Sequence, residues 1–329
     1  MWEAFLNIFS ISTISFVLSF SAPVVFASLG ETLSEKGGVM NLSVEGTMML
    51  CAMAGFAVAM TTNSLILGFL AAMLIGSLMA AIVAFCSITL KRDQVAIGFI
   101  LAILGIRLSS YLGGPFIRKP GPAVQSLSIP VLSKIPVLGP IFFDQDIVTY
   151  LSFILIITMW FWFYKTQPGL KLIGTGERPA AAFARGVNVI KVRYLYSILG
   201  GALIGFGGAA FSLHTKLGWT YRHTEMYGWI ALAIVIFGGW HPFRAALGAY
   251  MFGLLSSAAT IMQVALPGVP VQVFPLLPFP LMILMLVLFN SEWVTRVLVK
   301  FPASLRRILT DIIHTPPPAG LGAHYQQDG

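Results

Sequence analysis

The sequence predicts an all-α protein, a polytopic bundle of transmembrane helices. Of its 329 residues, 57% are hydrophobic and only 10% charged, against about 25% charged in a soluble domain. Mean hydropathy is +0.87. Several apolar runs reach the ~20 residues that a helix needs to cross the hydrocarbon core. A membrane β-barrel would instead alternate polar and apolar residues in short segments.

The first segment is expected over residues 5–29. Glu3 precedes it without any Lys or Arg, so it lacks the basic start of a cleaved signal peptide. The GETLSEKGG that follows reads as a loop. The second segment covers 39–60, the third 63–90, ending at Lys91-Arg92-Asp93, and the fourth 95–112. Residues 113–146 carry Pro115, Pro120, Pro122, Pro130, Pro136 and Pro140. That much proline excludes a spanning helix and predicts an external cap or a partly re-entrant loop. The fifth segment, 147–164, ends in the aromatic run from Trp160 to Tyr164, an interfacial belt.

Polar residues 165–193 come next. The sixth segment, 194–213, repeats Ser197, Gly201, Gly205 and Ala209 every fourth position, a spacing that lets helices approach closely. A loop over 215–225, a short seventh segment (226–237), an eighth (245–264) and a ninth (273–289) complete the series. Residues 1–293 thus form the transmembrane domain. Residues 294–329 form a basic cytoplasmic tail whose PPPAGLGAHYQQDG end is expected to be disordered.

Charge sets the orientation. The 165–193 loop holds Lys165, Lys171, Arg178, Arg185, Lys191 and Arg193 against one acid, Glu177, so it should remain cytoplasmic. About nine spans (eight to ten) then place the N-terminus outside and the C-terminus in the cytoplasm, with fourteen of the 20 Lys and Arg residues inside. Within the loop, GERPAAAFARGV reads as a short helix. Pro179 suits its first turn, the alanines propagate it and Gly186 ends it. Such a helix is either solvated or docked on a partner.

No enzyme emerges. His214, His223 and His241 lack metal spacing, and HExxH, GxSxG and the Walker A loop are missing. Any pumping must therefore draw on a partner or an ion gradient. Cys51 and Cys86 lie in apolar runs and read as packing residues. The net charge of +8 comes from the loops and implies no nucleic acid. Glu45 follows Asn41 by one helical turn inside an apolar run. A charge at mid-helix costs about 2.5–3.5 kcal/mol on insertion scales, so it faces a cavity or a partner. Either it marks a pathway or helix junction, or it makes a buried structural hydrogen bond near the interface. Arg107, near the outer end of the fourth segment, reaches head groups or meets a polar solute. Trp219, Tyr221 and Tyr227 beside His223 and Glu225 form a stacking platform or an interfacial belt.

Three stretches carry a resemblance. GGVMNLSVEGTMMLCAMAGF, GTGERPAAAFARGVNV with the following GGALIGFGGA, and GWIALAIVIFGGWHPFRAALGAYMFG stand in the order found in ABC importer permeases. The chain resembles the branched-chain amino acid/monosaccharide permease family, in its nucleoside and simple-sugar branch, over residues 29–289.

The resemblance implies a permease subunit of the bacterial cytoplasmic membrane that moves a nucleoside, simple sugar or related polar solute by alternating access. It implies several partners: a cytoplasmic ABC ATPase that binds the ATP and Mg, a second permease chain, an extracytoplasmic solute-binding protein and membrane lipid. The permease itself then needs no cofactor and no metal. On this resemblance Glu177, Arg178, Ala181, Ala182 and Gly186 form the ATPase-coupling helix, and Asn41, Glu45, Gly201 and Gly205 are pathway or helix-packing positions. The alternative is a self-sufficient secondary transporter or channel.

Overall fold

A computed structural model describes residues 8–266, 268–289 and 317–323. In chain order the helices are α1 (Ile11–Lys36), α2 (Val44–Thr62), α3 (Leu65–Ala84, extended by a π turn to Thr89), α4 (Gln94–Gly113), α5 (Ile147–Lys165), α6 (Gln167–Glu177), α7 (Pro179–Ala184), α8 (Val189–Ala210, extended by a π turn to Thr215), α9 (Tyr227–Phe237), α10 (Pro242–Ala265) and α11 (Pro278–Phe289). Seven of them, α1 to α5, α8 and α10, are long and apolar enough to cross a membrane. The expected seventh and ninth segments appear as helices of 11 and 12 residues.

The first helix corrects the sequence reading. Ser10 caps it by accepting the Thr13 N–H at 3.2 Å, and it continues unbroken past Pro23 to Lys36. The stretch expected as a loop is thus helical, with Glu31, Thr32 and Glu35 at 0–1% exposure. Its polar side chains have partners inside the bundle, so local polarity does not end the helix.

Helix α8 is the post around which the bundle closes. A Cβ on Gly201 would lie 2.4 Å from the Gly76 carbonyl of α3, and one on Gly205 would lie 2.3 Å from the Ala72 carbonyl. On other sides Gly200 meets Gly30 of α1 and Gly208 meets Met48 of α2. Small residues replace side-chain interdigitation with backbone contact, the packing that works where lipid offers no hydrophobic drive. Gly201→Leu should overpack the α3–α8 seam by at least ~1–3 kcal/mol. Thermal unfolding of the purified protein in detergent checks this, and an unchanged Tm would contradict it.

The two ends of the bundle differ. At one end lie Lys36, Gln94, helices α6 and α7 and the turn Gly238–His241. The opposite end is covered by the proline-rich segment, which contains a short antiparallel hairpin, β1 (Ser126–Ser128) and β2 (Asp144–Asp146). This cover is tied down by Ser15 Oγ donating to the Pro140 carbonyl at 2.9 Å and by Val124 N–H donating to the Leu213 carbonyl at 2.9 Å.

Candidate functional site

Two regions hold the polar residues singled out by the sequence. The first is at mid-depth. Residues 37–43 are not helical, although 39–43 were expected to begin the second span, and Val39, Asn41 and Ser43 are buried. Non-helical backbone inside a bundle must find its hydrogen bonds in side chains. Gln94 Oε1 accepts the Met40 N–H at 2.8 Å and Glu31 Oε1 accepts the Asn41 N–H at 2.9 Å. Asn41 Oδ1 accepts the Ser43 N–H at 3.1 Å and the Ser43 hydroxyl at 2.6 Å.

The unwound lead-in raises the start of α2 deep into the bundle. Gly46 packs against Ala102 and Gly105, the ninth and twelfth of the 20 residues of α4. Glu45, in the first turn of α2, therefore lies level with the middle of α4, deeper than the near-interface position considered from sequence. There it meets the start of α9. Glu45 Oε1 accepts the Met226 N–H at 2.8 Å, and Oε2 accepts those of Gly228 at 2.8 Å and Trp229 at 3.4 Å. A helix begins with unsatisfied N–H groups and a partial positive charge, and the Glu45 carboxylate answers both. Helix α9 runs from here to the Gly238–His241 turn, where the Trp240 indole N–H donates to Glu35. Its 11 residues span about 16 Å, half of a ~30 Å hydrocarbon core.

The loop before α9 corrects a second expectation. Trp219, His223 and Thr224 are 1%, 5% and 0% exposed, so they form no exposed platform; Tyr221 alone of that group of rings projects outward. Trp219 fits beneath Gly113, where a Cβ would lie 2.1 Å from its indole nitrogen. Arg107 is exposed on α4, away from both regions.

The second region is the face made by α6 and α7. Helix α6 is a fixed mount. Leu172 is fully buried, and a Cβ on Gly176 would stand 2.1 Å from the Lys36 carbonyl. Helix α7 has no buried residue. Glu177, Arg178, Ala181 and Phe183 are exposed and Ala182 is partly so. Gly186 ends it at φ +81°, a left-handed conformation that favours glycine. The chain then re-enters the bundle, with Asn188 Oδ1 accepting the Lys191 N–H at 2.9 Å to cap α8.

Residues 317–323, from the tail end expected to be disordered, lie across this mount. Gly320 N–H donates to the Gly176 carbonyl at 2.7 Å and Gly322 N–H to the Gly38 carbonyl at 3.2 Å. The Arg193 guanidinium donates to the carbonyls of Gly320 and Ala323, and Glu177 accepts the Ala319 N–H at 3.3 Å. The rest of the expected basic tail lies outside the described residues.

At the same end His241 stacks on Tyr164, with ring centroids 5.5 Å apart. Burial, and then the cations Arg244 and Lys36, push its imidazole down to about 4. In the unfolded chain it titrates near ~6.5. The folded state thus binds fewer protons than the unfolded state between these values. Stability should be level above about pH 6.5 and fall as pH drops towards 4. Because the ring is partly exposed, the loss at pH 5 should stay below the ~2 kcal/mol of a dry group. His241→Gln should flatten the fall in Tm between pH 7.5 and 5; an identical fall would contradict the assignment.

Sequence reasoning located both regions but missed the three carboxylate- and amide-bearing partners Glu31, Glu35 and Gln94. The available signal was a set of acids and amides within a few residues of an apolar span. Among the described residues no group of His, Cys, Asp and Glu could hold a metal ion.

The chain is similar in sequence to several known permeases. A Haloferax volcanii protein named "Putative glucose ABC transporter permease protein" is 37% identical over 238 residues, 71% of this chain and 72% of its own. The nucleoside ABC transporter permease protein of Lactococcus lactis is 31% identical over 290 residues, 84% of this chain and 91% of its own. The guanosine ABC transporter permease protein of Bacillus subtilis is 33% identical over 257 residues, 74% and 80% of the two chains. No solved structure gives a significant match. Residues 13–286 match the family described as branched-chain amino acid transport system / permease component, and the chain belongs to that family.

Proposed function

We propose that this permease forms half of an ATP-driven importer for a nucleoside or simple sugar, gripped by its ATPase through α7. The observation that carries this is an exposed helix bearing Phe183, held on a buried mount outside the apolar bundle. An exposed large apolar side chain among alanines suits a protein groove better than water.

Charge supports the orientation. Of the sixteen described Lys and Arg residues, ten lie at the α6–α7 end, five at the hairpin end and Arg107 within α4. The richer end is then cytoplasmic, with the N-terminus outside and nine segments in all. The hairpin end faces the extracytoplasmic binding protein, and a second permease chain completes the pathway.

Coupling follows from connectivity. ATP-driven closure of the ATPase pair displaces α7, and α8 begins four residues after Arg185. Helix α8 touches α1, α2 and α3 through glycines, so a shift at its start moves packed backbones rather than loose side chains. Secondary transport finds less support. Glu45 is engaged by N–H donors through both oxygens, Glu31 through Oε1 and Glu35 through Oε2.

Reconstitution with the cognate ATPase and binding protein tests the proposal. Uptake of guanosine, uridine or glucose should require ATP hydrolysis. Uptake that persists with an ATPase lacking its Walker lysine would overturn it.

A further inference from the structure

Beside Tyr227, the first residue of α9, lies a cavity of about 220 Å³. Its walls divide by chemistry. Tyr227, Phe252 and Phe279 contribute one wall, with centroids 5.5 Å (Tyr227–Phe252), 6.3 Å (Tyr227–Phe279) and 5.5 Å (Phe252–Phe279) apart. The polar wall comes from α10. Ser256, Thr260 and Gln263 recur at i, i+4 and i+7, so they share a helix face, with Ser257 beside them. Ser257 is 6% exposed and its hydroxyl has no hydrogen-bond partner among the described residues. Polar side chains clustered within a spanning helix face a cavity or a partner rather than lipid, and a buried hydroxyl without a partner points to one supplied by a ligand.

The charge of that ligand follows from the neighbourhood. The N–H groups that make the start of a broken helix attractive to anions are taken here by Glu45. No Lys or Arg lines the cavity. Lys216 lies over the Tyr227 ring at 4.9 Å, but it donates to the His223 carbonyl and stands outside the lining. Aromatic faces favour a flat ring, and hydroxyls with an amide suit a hydrogen-bonding ring edge and sugar hydroxyls.

A second, larger cavity opens at the hairpin end, lined by Ser19, Asp146 and His214 among others, and Phe16 borders both. Solute arriving at the hairpin end therefore has a polar antechamber next to the aromatic one.

We infer that the cavity bounded by α1, α9, α10 and α11, in the hairpin-side half of the bundle, is a solute chamber of the permease, and that its solute is a neutral nucleoside. The inference rests on the importer reading above and narrows it. Ser257 and Gln263 are binding residues for the solute, and the partly exposed Tyr227 and Phe279 supply its aromatic wall.

The test uses the complete transporter in proteoliposomes with guanosine, uridine, glucose and guanosine monophosphate as probes. ATP-dependent uptake of a nucleoside is expected, with neither glucose nor the monophosphate competing. Ser257→Ala and Gln263→Leu should each raise the nucleoside KM by ~10-fold, the effect of losing one buried hydrogen bond to the solute. As an arm independent of those variants, Thr260→Cys in a background with Cys51→Ala and Cys86→Ala should be shielded from a small maleimide by guanosine or uridine.

If the wild-type complex takes up none of the four probes, the importer reading itself falls. If it takes up a nucleoside while both variants keep the wild-type KM, or while Thr260→Cys labels equally with and without nucleoside, the chamber assignment is overturned. Glucose uptake without nucleoside uptake overturns the solute class.

Discussion

Glu45→Leu is expected to destabilise the permease by more than ~3 kcal/mol. The substitution strands the N–H groups of Met226, Gly228 and Trp229, and each buried donor left without a partner costs about 1–3 kcal/mol. It also removes the negative charge from the start of α9. Space offers no relief, because a Cβ on Gly228 would already lie 2.4 Å from the Glu45 Cα. For a chain of 329 residues a loss of that order lowers Tm by at least ~4 °C. Glu45→Gln keeps one accepting oxygen and should lose less. Differential scanning measurements on the three proteins in one detergent decide the matter. A leucine variant within ~1 °C of wild type would mean that α9 does not depend on this carboxylate.

Ala182→Arg should uncouple the transporter while leaving the bundle intact. Ala182 is only partly exposed on α7, and its carbonyl accepts the Arg185 and Val187 N–H groups that close the helix. Arginine is a good helix former, so the helix persists. The new side chain instead enlarges and charges a face built of alanines. A bulky charge forced into a closely packed interface typically costs several kcal/mol, enough to reduce solute-stimulated ATP hydrolysis by more than ~100-fold. Wild-type stimulation in reconstituted complexes would remove α7 from the coupling interface.

Much of the architecture was legible because the bilayer imposes strong rules. Apolar runs marked the seven helices of spanning length, most of them within about five residues of their ends and α1 short by seven at Lys36, and proline marked the cover over 113–146. The fourfold glycine spacing identified α8 as a packing helix, and its neighbours meet it at Gly200, Gly201 and Gly205. The short helix in the basic loop followed from Pro179, three alanines and Gly186.

Three things were not legible. The end of α1 read as a loop because GETLSEKGG is polar, and its burial depends on partners such as Trp240, some 205 residues away in sequence. The unwound stretch 39–43 read as the start of a span because an apolar run follows it. Only the side chains of Glu31 and Gln94 reveal that its backbone needs outside acceptors. Helix α6 was hidden inside the basic loop, where Thr166 Oγ1 caps it by accepting the Gly169 N–H at 3.2 Å. The first two misses share an origin, hydrogen bonds from elsewhere in the chain that override local composition, whereas α6 rests on a local cap.

Labelling of a single cysteine at position 182 tests the account at its centre. With Cys51→Ala and Cys86→Ala as background, Ala182→Cys should react with a membrane-impermeant maleimide in inside-out vesicles and not in right-side-out ones. Added ATPase subunit should block the reaction. Reaction from the outer face, or full reaction in the presence of bound ATPase, would contradict both the orientation and the coupling role of α7.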